Sequence, residues 1–291
     1  DFEAIESIVA HEYFHNWTGN RITCRDWFQL CLKEGLTVYR DQEFTKAMRS
    51  PAVARIKEVI RLRTRQFPED AGPLAHSVRP DQYGRIDNLY TATVYEKGAE
   101  LIRMLRLMIG DAAFFAGMTQ YFDTMDGTAA TIEDFIASFQ PHTSHDLQAF
   151  SRWYAQAGTP ALNARGSYDA ASRQYRLTLT QMVSPTPGQP DKTPVRMPMR
   201  VALFDDNGAK LETRLDGGAA LQDHVVVLET ASNTFVFSDV ASPPRPSLIL
   251  RRRQRSGTSC RGSSPRRCAS LRGARLIRGV RTKTVLSVSR S

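Results

Sequence analysis

His11-Glu12-Tyr13-Phe14-His15 closes a stretch, residues 1–16, in which Phe2, Ile5, Ile8 and Val9 recur at helical spacing and acidic residues sit in the first turn. That pattern predicts a helix. On a helix, residues i and i+4 share a face about one turn apart, so His11 and His15 can bring two imidazoles to one metal ion. Glu12 is turned about 100° from His11 and addresses a water rather than the metal. The plainer reading of this HExxH pentapeptide is a helix whose two histidines are ordinary surface or core residues.

A catalytic zinc site takes three protein ligands, so a third is needed. Glu34 follows His15 after 18 intervening residues, in Leu32-Lys33-Glu34-Gly35-Leu36, on the next predicted helix, about 33–48. A carboxylate between apolar neighbours is costly to bury unpaired. A metal ligand or a salt bridge explains it. His11, His15 and Glu34 together form the His₂Glu set of zinc hydrolases.

Further out, Gly19-Asn20 marks a turn. A helix over about 52–66 carries Val53, Ile56, Val59, Ile60 and Leu62 as its apolar stripe. Residues 67–90 hold Pro68, Gly72, Pro73, Pro80 and Gly84 and read as a long loop. A helix over about 91–109 follows, then one that Asp111 can cap. Thr131 and Asp134 resemble a capping box. A last helix with Leu147, Phe150, Trp153 and Tyr154 stops at Gly158. From about residue 160 the period becomes two: Tyr175, Leu177 and Leu179 alternate with polar residues. Val201 to Phe204 runs into the hairpin signal Asp205-Asp206-Asn207-Gly208, and His224 to Leu228 and Thr234 to Phe237 read as further strands. The fold class is therefore α+β multidomain: a helical part over 1–158, a small β-sandwich over 159–250 and an Arg/Ser-rich low-complexity tail over 251–291 that reads as disordered.

The motif and its surroundings resemble the gluzincin aminopeptidases of the bacterial aminopeptidase N type. The resemblance rests on HExxH, 18 residues, then Glu. It continues in His15-Asn16-Trp17-Thr18-Gly19-Asn20, Cys31-Leu32-Lys33-Glu34-Gly35-Leu36-Thr37-Val38, Arg40-Asp41-Gln42-Glu43-Phe44, Thr93-Val94-Tyr95-Glu96-Lys97-Gly98-Ala99-Glu100 and Ser151 to Pro160. It covers about 1–250. It implies a thermolysin-like catalytic part and an Ig-like sandwich. It implies one Zn²⁺ held by His11, His15 and Glu34, with Glu12 as the general base acting on the zinc-bound water. It also implies that Tyr95 stabilises the oxyanion. Read without the resemblance, Tyr95 is equally a half-buried core tyrosine. The implied activity is zinc-dependent hydrolysis of N-terminal residues from peptides with a free N-terminus. A sister branch of leukotriene epoxide hydrolase type shares the zinc set, and the match through the β part disfavours it. The family's Gly-Ala-Met-Glu-Asn segment, whose Glu holds the substrate amine, would lie upstream of residue 1, so the chain reads as a fragment with little activity alone.

Composition narrows the alternatives. The 291 residues carry 39 Lys+Arg and 30 Asp+Glu, a net charge of +9. Twelve Arg and one Lys, with no acidic residue, lie in 251–291, so residues 1–250 are net acidic, about −4. The basic balance belongs to the tail, and a specific nucleic-acid interface is not expected. The competing function is a non-catalytic basic protein that uses this tail on nucleic acid or an anionic membrane. There is no run of 18 apolar residues, hence no expected membrane span, and no basic, apolar leader. Cys24 and Cys31, and Cys260 and Cys268, lack metal-knuckle spacing and read as reduced thiols of a cytoplasmic chain, expected to be a monomer. His76, His142, His145 and His224 read as solvated or packed, and Met104 and Met108 as core.

Overall fold

The computed structural model describes residues 2–249. Helix α1 (Phe2–Phe14) carries the pentapeptide and lies against α2 (Leu30–Met48). The helix forms where the sequence predicts it, yet Phe2, Ile5, Ile8 and Val9 are exposed. Its inward stripe is Glu3, Ser7, Ala10, His11 and Phe14, and of these only Ala10 is fully buried. The orientation follows from what α2 offers: Glu34, Thr37 and Asp41, all buried, face the imidazoles. Exposed ion pairs Glu3–Lys57 and Glu6–Arg49 tie down the first turns of α1.

Helix α3 (Pro51–Arg61) starts on a Ser50 cap whose hydroxyl accepts the Val53 N–H. Here too Val53, Ile56 and Ile60 point outward. The inner side carries Arg55 and Glu58, which join Glu43 and Lys46 of α2 and Glu100, Arg103 and Arg106 further on in one charge cluster. A buried charge is tolerable only when paired in this way. The helix does not stop at residue 66. It widens into a π turn, Leu62–Gln66, and runs on as α4 (Phe67–Asp70), so the loop read at 67–90 begins four residues later and contains a 3₁₀ turn at Ile86–Leu89. A second π turn, Thr93–Lys97, leads into α5 (Gly98–Ile109), splitting the helix read at 91–109.

Next comes α6 (Asp111–Met125). Its N-cap is Gly110 at φ +83°, and Asp111 instead accepts from Arg106. Helix α7 (Ile132–Ala137) has the Thr131–Asp134 capping box expected of it. The last predicted helix is two short ones, α8 (Leu147–Phe150) and α9 (Arg152–Ala155). Phe114, Tyr121, Phe135 and Phe139 stack into an aromatic centre between α6 and α7. Strands β1 (Thr23–Cys24) and β2 (Ala129–Ala130) form a small parallel pair.

Among the described residues the β part holds eight strands: β3 (Ala161–Asp169), β4 (Gln174–Met182), β5 (Met197–Phe204), β6 (Thr213–Leu215), β7 (Ala220–Leu221), β8 (His224–Leu228), β9 (Ser232–Ser238) and β10 (Arg245–Ile249). They form two sheets, in the orders β3-β4-β9-β6-β7 and β10-β5-β8. The turn at Asp205–Gly208 forms, with Gly208 at φ +81°, but the returning chain makes one bridge, Phe204 to Lys210. It then crosses to the other sheet as β6. Residues of β5 are buried on both faces because α5 packs against β5 and β8 from the helical side. This is a helical domain followed by an Ig-like β domain. Among the described residues no helix is long and apolar enough to cross a membrane. Residues 251–291, read above as a basic tail, lie outside the described residues, as do Cys260 and Cys268.

Candidate metal centre

The His15 backbone N–H still bonds the His11 carbonyl, 3.2 Å, so the two imidazoles keep helical i, i+4 placement although α1 ends at Phe14. Their rings meet edge to face, with centroids 4.7 Å apart. The two Nε2 atoms are 3.1 Å apart, and Glu34 Oε2 is 3.3 Å from each. Among the described residues, these three side chains are the group of His, Cys, Asp and Glu whose ligand atoms converge. Lys33 pairs with the other Glu34 oxygen.

The outer nitrogens are held as well. His11 Nδ1 is 2.8 Å from the Asp41 carboxylate, and His15 Nδ1 is 2.9 Å from the Thr18 carbonyl and 3.3 Å from the Thr37 hydroxyl. A carbonyl only accepts, so the Nδ1 of His15 carries a proton. Asp41 stands seven residues after Glu34 on α2, two turns along the same face. The sequence reading passed over it, although that spacing after a ligand carboxylate was visible.

Electrostatics agree with the contacts. Burial disfavours a charged His11, but hydrogen bonds to Asp41 and Glu34 outweigh it and raise its pKa to about 9. Burial likewise opposes ionisation of Glu34, and hydrogen bonds from His11, His15 and Lys33 hold its carboxyl well below the usual range. Burial, then the Glu34 charge, pushes the Tyr95 phenol far up, so it keeps its proton and remains a donor. Tyr95 is half-buried on the π turn Thr93–Lys97, with its ring 6.2 Å from that of Tyr90 and near enough to Glu34 to feel its charge. Glu12 is exposed beside the pair, near enough for its charge to be felt at Tyr95. A cavity of about 520 Å³ lies alongside, bounded by His11, Asp41, Tyr95, Glu96, Arg61 and Lys57. His224 is a packed side chain bonded to Thr213, and the ring of His142 bonds Gln120.

A helix-borne pair of imidazoles closed by a carboxylate from the next helix, with a protonated phenol beside it, is the arrangement of a metal-dependent hydrolase. The comparisons agree. The model of the Peptidase family M1 domain matches residues 1–154, and that of a domain of unknown function (DUF3458) with an Ig-like fold matches 158–252. Aminopeptidase N of Haemophilus influenzae is 49% identical over 249 residues, and Aminopeptidase N of Escherichia coli 47% over 249 residues. Each alignment covers 86% of this chain and 28% of the relative. The crystal structure of Legionella pneumophila aminopeptidase A in complex with aspartic acid matches with a TM-score of 0.67 at 30% identity, over 83% of this chain and 25% of that one. The chain belongs to peptidase family M1. It spans a little over a quarter of the length of these curated relatives. Aminopeptidases of this family are zinc metallopeptidases.

Proposed function

We propose that this chain carries the metal centre of a zinc aminopeptidase, with one Zn²⁺ held by His11 Nε2, His15 Nε2 and Glu34 Oε2. One observation carries the reading. Tetrahedral zinc with bonds of about 2.0–2.1 Å keeps its ligand atoms roughly 3.3 Å apart. The three candidate atoms are separated by 3.1, 3.3 and 3.3 Å. His11 and Tyr95 also line the adjoining cavity, which would leave room for the open position that a catalytic rather than structural zinc keeps.

When bound, zinc lowers the pKa of a coordinated water toward about 7 and polarises the scissile carbonyl. The protein supplies the rest. The Glu12 carboxylate takes a proton from the attacking water and delivers it to the departing amine nitrogen. The Tyr95 hydroxyl donates a hydrogen bond to the carbonyl oxygen as negative charge gathers there. Asp41 and the Thr18 carbonyl hold the two rings so that Nε2 faces inward. The substrate is a peptide with a free N-terminus, a reading supported by the aminopeptidase relatives. We divide the chain at 158/159, take it as a monomer and, on the free thiols of Cys24 and Cys31, place it in the cytoplasm.

The test is a chimera in which residues 1–249 replace the matching stretch of the Escherichia coli relative. Hydrolysis of an alanyl amide is expected, lost on chelation and restored by zinc, with the amine-blocked amide left intact. Equal cleavage of the blocked substrate, or full activity without metal, would overturn the reading.

A further inference from the structure

Tyr95 does not sit on regular helix. In a π turn the i→i+5 bonds widen the backbone, and such turns gather at functional sites. The direction of the side chain then depends on what holds the ends of the turn. Here one short segment holds both. At the start, the Glu69 carboxylate accepts the backbone N–H of Thr93 at 2.7 Å and that of Ala92 at 3.3 Å. At the end, the buried Lys97 ammonium donates to Asp70 at 2.8 Å and to the Gly158 carbonyl at 3.0 Å. The Thr159 hydroxyl donates to the same Asp70 oxygen at 2.6 Å.

Glu69 and Asp70 are consecutive residues of α4, so a single helical turn grips both ends of the five-residue turn that presents Tyr95. The Lys97–Asp70 pair, with side chains 7% and 1% exposed, is a poor source of net stability, because desolvating two charges offsets their attraction. What the pair does provide is a fixed spacing between α4, the π turn and the Gly158–Thr159 junction. Gly158 adopts φ +91°, where the chain leaves α9 and presents its carbonyl to Lys97.

We propose that Glu69 and Asp70 are positioning residues: they clamp the π turn at its two ends and thereby aim the Tyr95 hydroxyl at the Glu34 side of the metal centre. This rests on the reading of Tyr95 as the oxyanion donor. The clamp extends to the β part, since Gly158 and Thr159 complete it.

The experiment labels all nine tyrosines of the 291-residue chain with 3-fluorotyrosine and follows them by ¹⁹F NMR, with Tyr95→Phe assigning the Tyr95 signal. Glu69 is only partly buried, so Glu69→Ala leaves no buried charge unpaired. In Glu69→Ala the Tyr95 resonance, with that of its neighbour Tyr90, is expected to move and broaden, while those of Tyr121, Tyr168 and Tyr175 stay in place. Glu69→Gln, which keeps an acceptor oxygen, should return the Tyr95 signal toward its original position. The double variant Asp70→Asn/Lys97→Met neutralises the buried pair without stranding a charge and should move the same signal. An unmoved Tyr95 resonance in both Glu69→Ala and the double variant would overturn the proposal. So would a common shift of every tyrosine in Glu69→Ala, the mark of a merely structural role. Neither outcome depends on hydrolysis, so failure here is separable from failure of the aminopeptidase reading.

Discussion

Gly35 and Gly98 touch through their backbones where α2 crosses α5: a Cβ on Gly35 would stand 2.9 Å from the Gly98 carbonyl carbon, and one on Gly98 3.1 Å from the Gly35 Cα. Gly35 follows Glu34, and Gly98 follows the turn that bears Tyr95, so this crossing sets how closely carboxylate and phenol approach. No side chain fits between the helices. Gly35→Ala should destabilise the chain by about 1–3 kcal/mol, the usual cost of overpacking. Urea unfolding measures it, and an unchanged midpoint would show that the crossing yields freely.

Zinc content tests the ligands directly. Metal analysis of the purified chain should find one zinc per chain, and His15→Ala should lose it. Equal zinc in the two proteins would remove His15 from the ligand set.

Asp41 should matter to the metal without touching it. Asp41→Ala should weaken zinc binding by roughly 10- to 100-fold, the range typical of lost partners behind a ligating imidazole. Asp41→Asn, which can still accept from His11 Nδ1, should fall in between. Competition with a chromophoric chelator gives the dissociation constants, and parity of Asp41→Ala with the parent would refute the role.

Glu12 and Tyr95 should separate binding from turnover. In the chimera, Glu12→Gln should keep its zinc and lose hydrolysis. Tyr95→Phe should lower kcat about a hundredfold or more with KM little changed. A rise in KM alone would make Tyr95 a binding residue.

Acid should attack the charge cluster first. Burial opposes the ionised forms of Glu43 and Glu100, but Lys46 and Arg103 around the first, and Arg103 and Arg55 around the second, hold each carboxyl down at about 2. A depressed carboxylate stabilises the fold above its unfolded pKa of 4.5, and that contribution drains away as pH falls from there toward 2. Glu100→Gln should therefore be less stable than the parent at pH 7, with the gap narrowing between pH 4.5 and 2. Thermal unfolding across that range decides it, and a gap that stayed constant would contradict the assignment.

The convergence of His11, His15 and Glu34 was legible in the sequence because its signal is local: HExxH fixes two imidazoles on one helical face, and Glu34 lies at a recognisable spacing. The domain order was legible from the change of period near residue 160. The π turns at Leu62–Gln66 and Thr93–Lys97 were not, because a shift from i→i+4 to i→i+5 bonding leaves no residue signature. The apolar stripes of α1 and α3 located those helices, but most of their residues face outward; Leu62, at the end of the second stripe, is the buried exception. Burial there went to Ala10 and Ala54, and to polar or charged side chains whose partners lie on other helices. The Glu69 and Asp70 contacts escaped for the same reason. Both lie within what read as loop, and their partners Thr93 and Lys97 are 24 and 27 residues further on.

The outward turn of α1 has a consequence for how the medium acts on this protein. The helix that bears His11 and leads into His15 buries one small residue fully, Ala10, and its first turns rely on Glu3–Lys57 and Glu6–Arg49, pairs open to solvent. At about 1 M salt the screening length shrinks to roughly 3 Å, which weakens such pairs while sparing buried ones like Arg103–Glu100. Concentrated electrolyte should thus fray residues 2–8 selectively, seen as faster amide hydrogen exchange there than in α5. The ionic strength of the solution becomes a dial on the one element that the chemistry most needs held still.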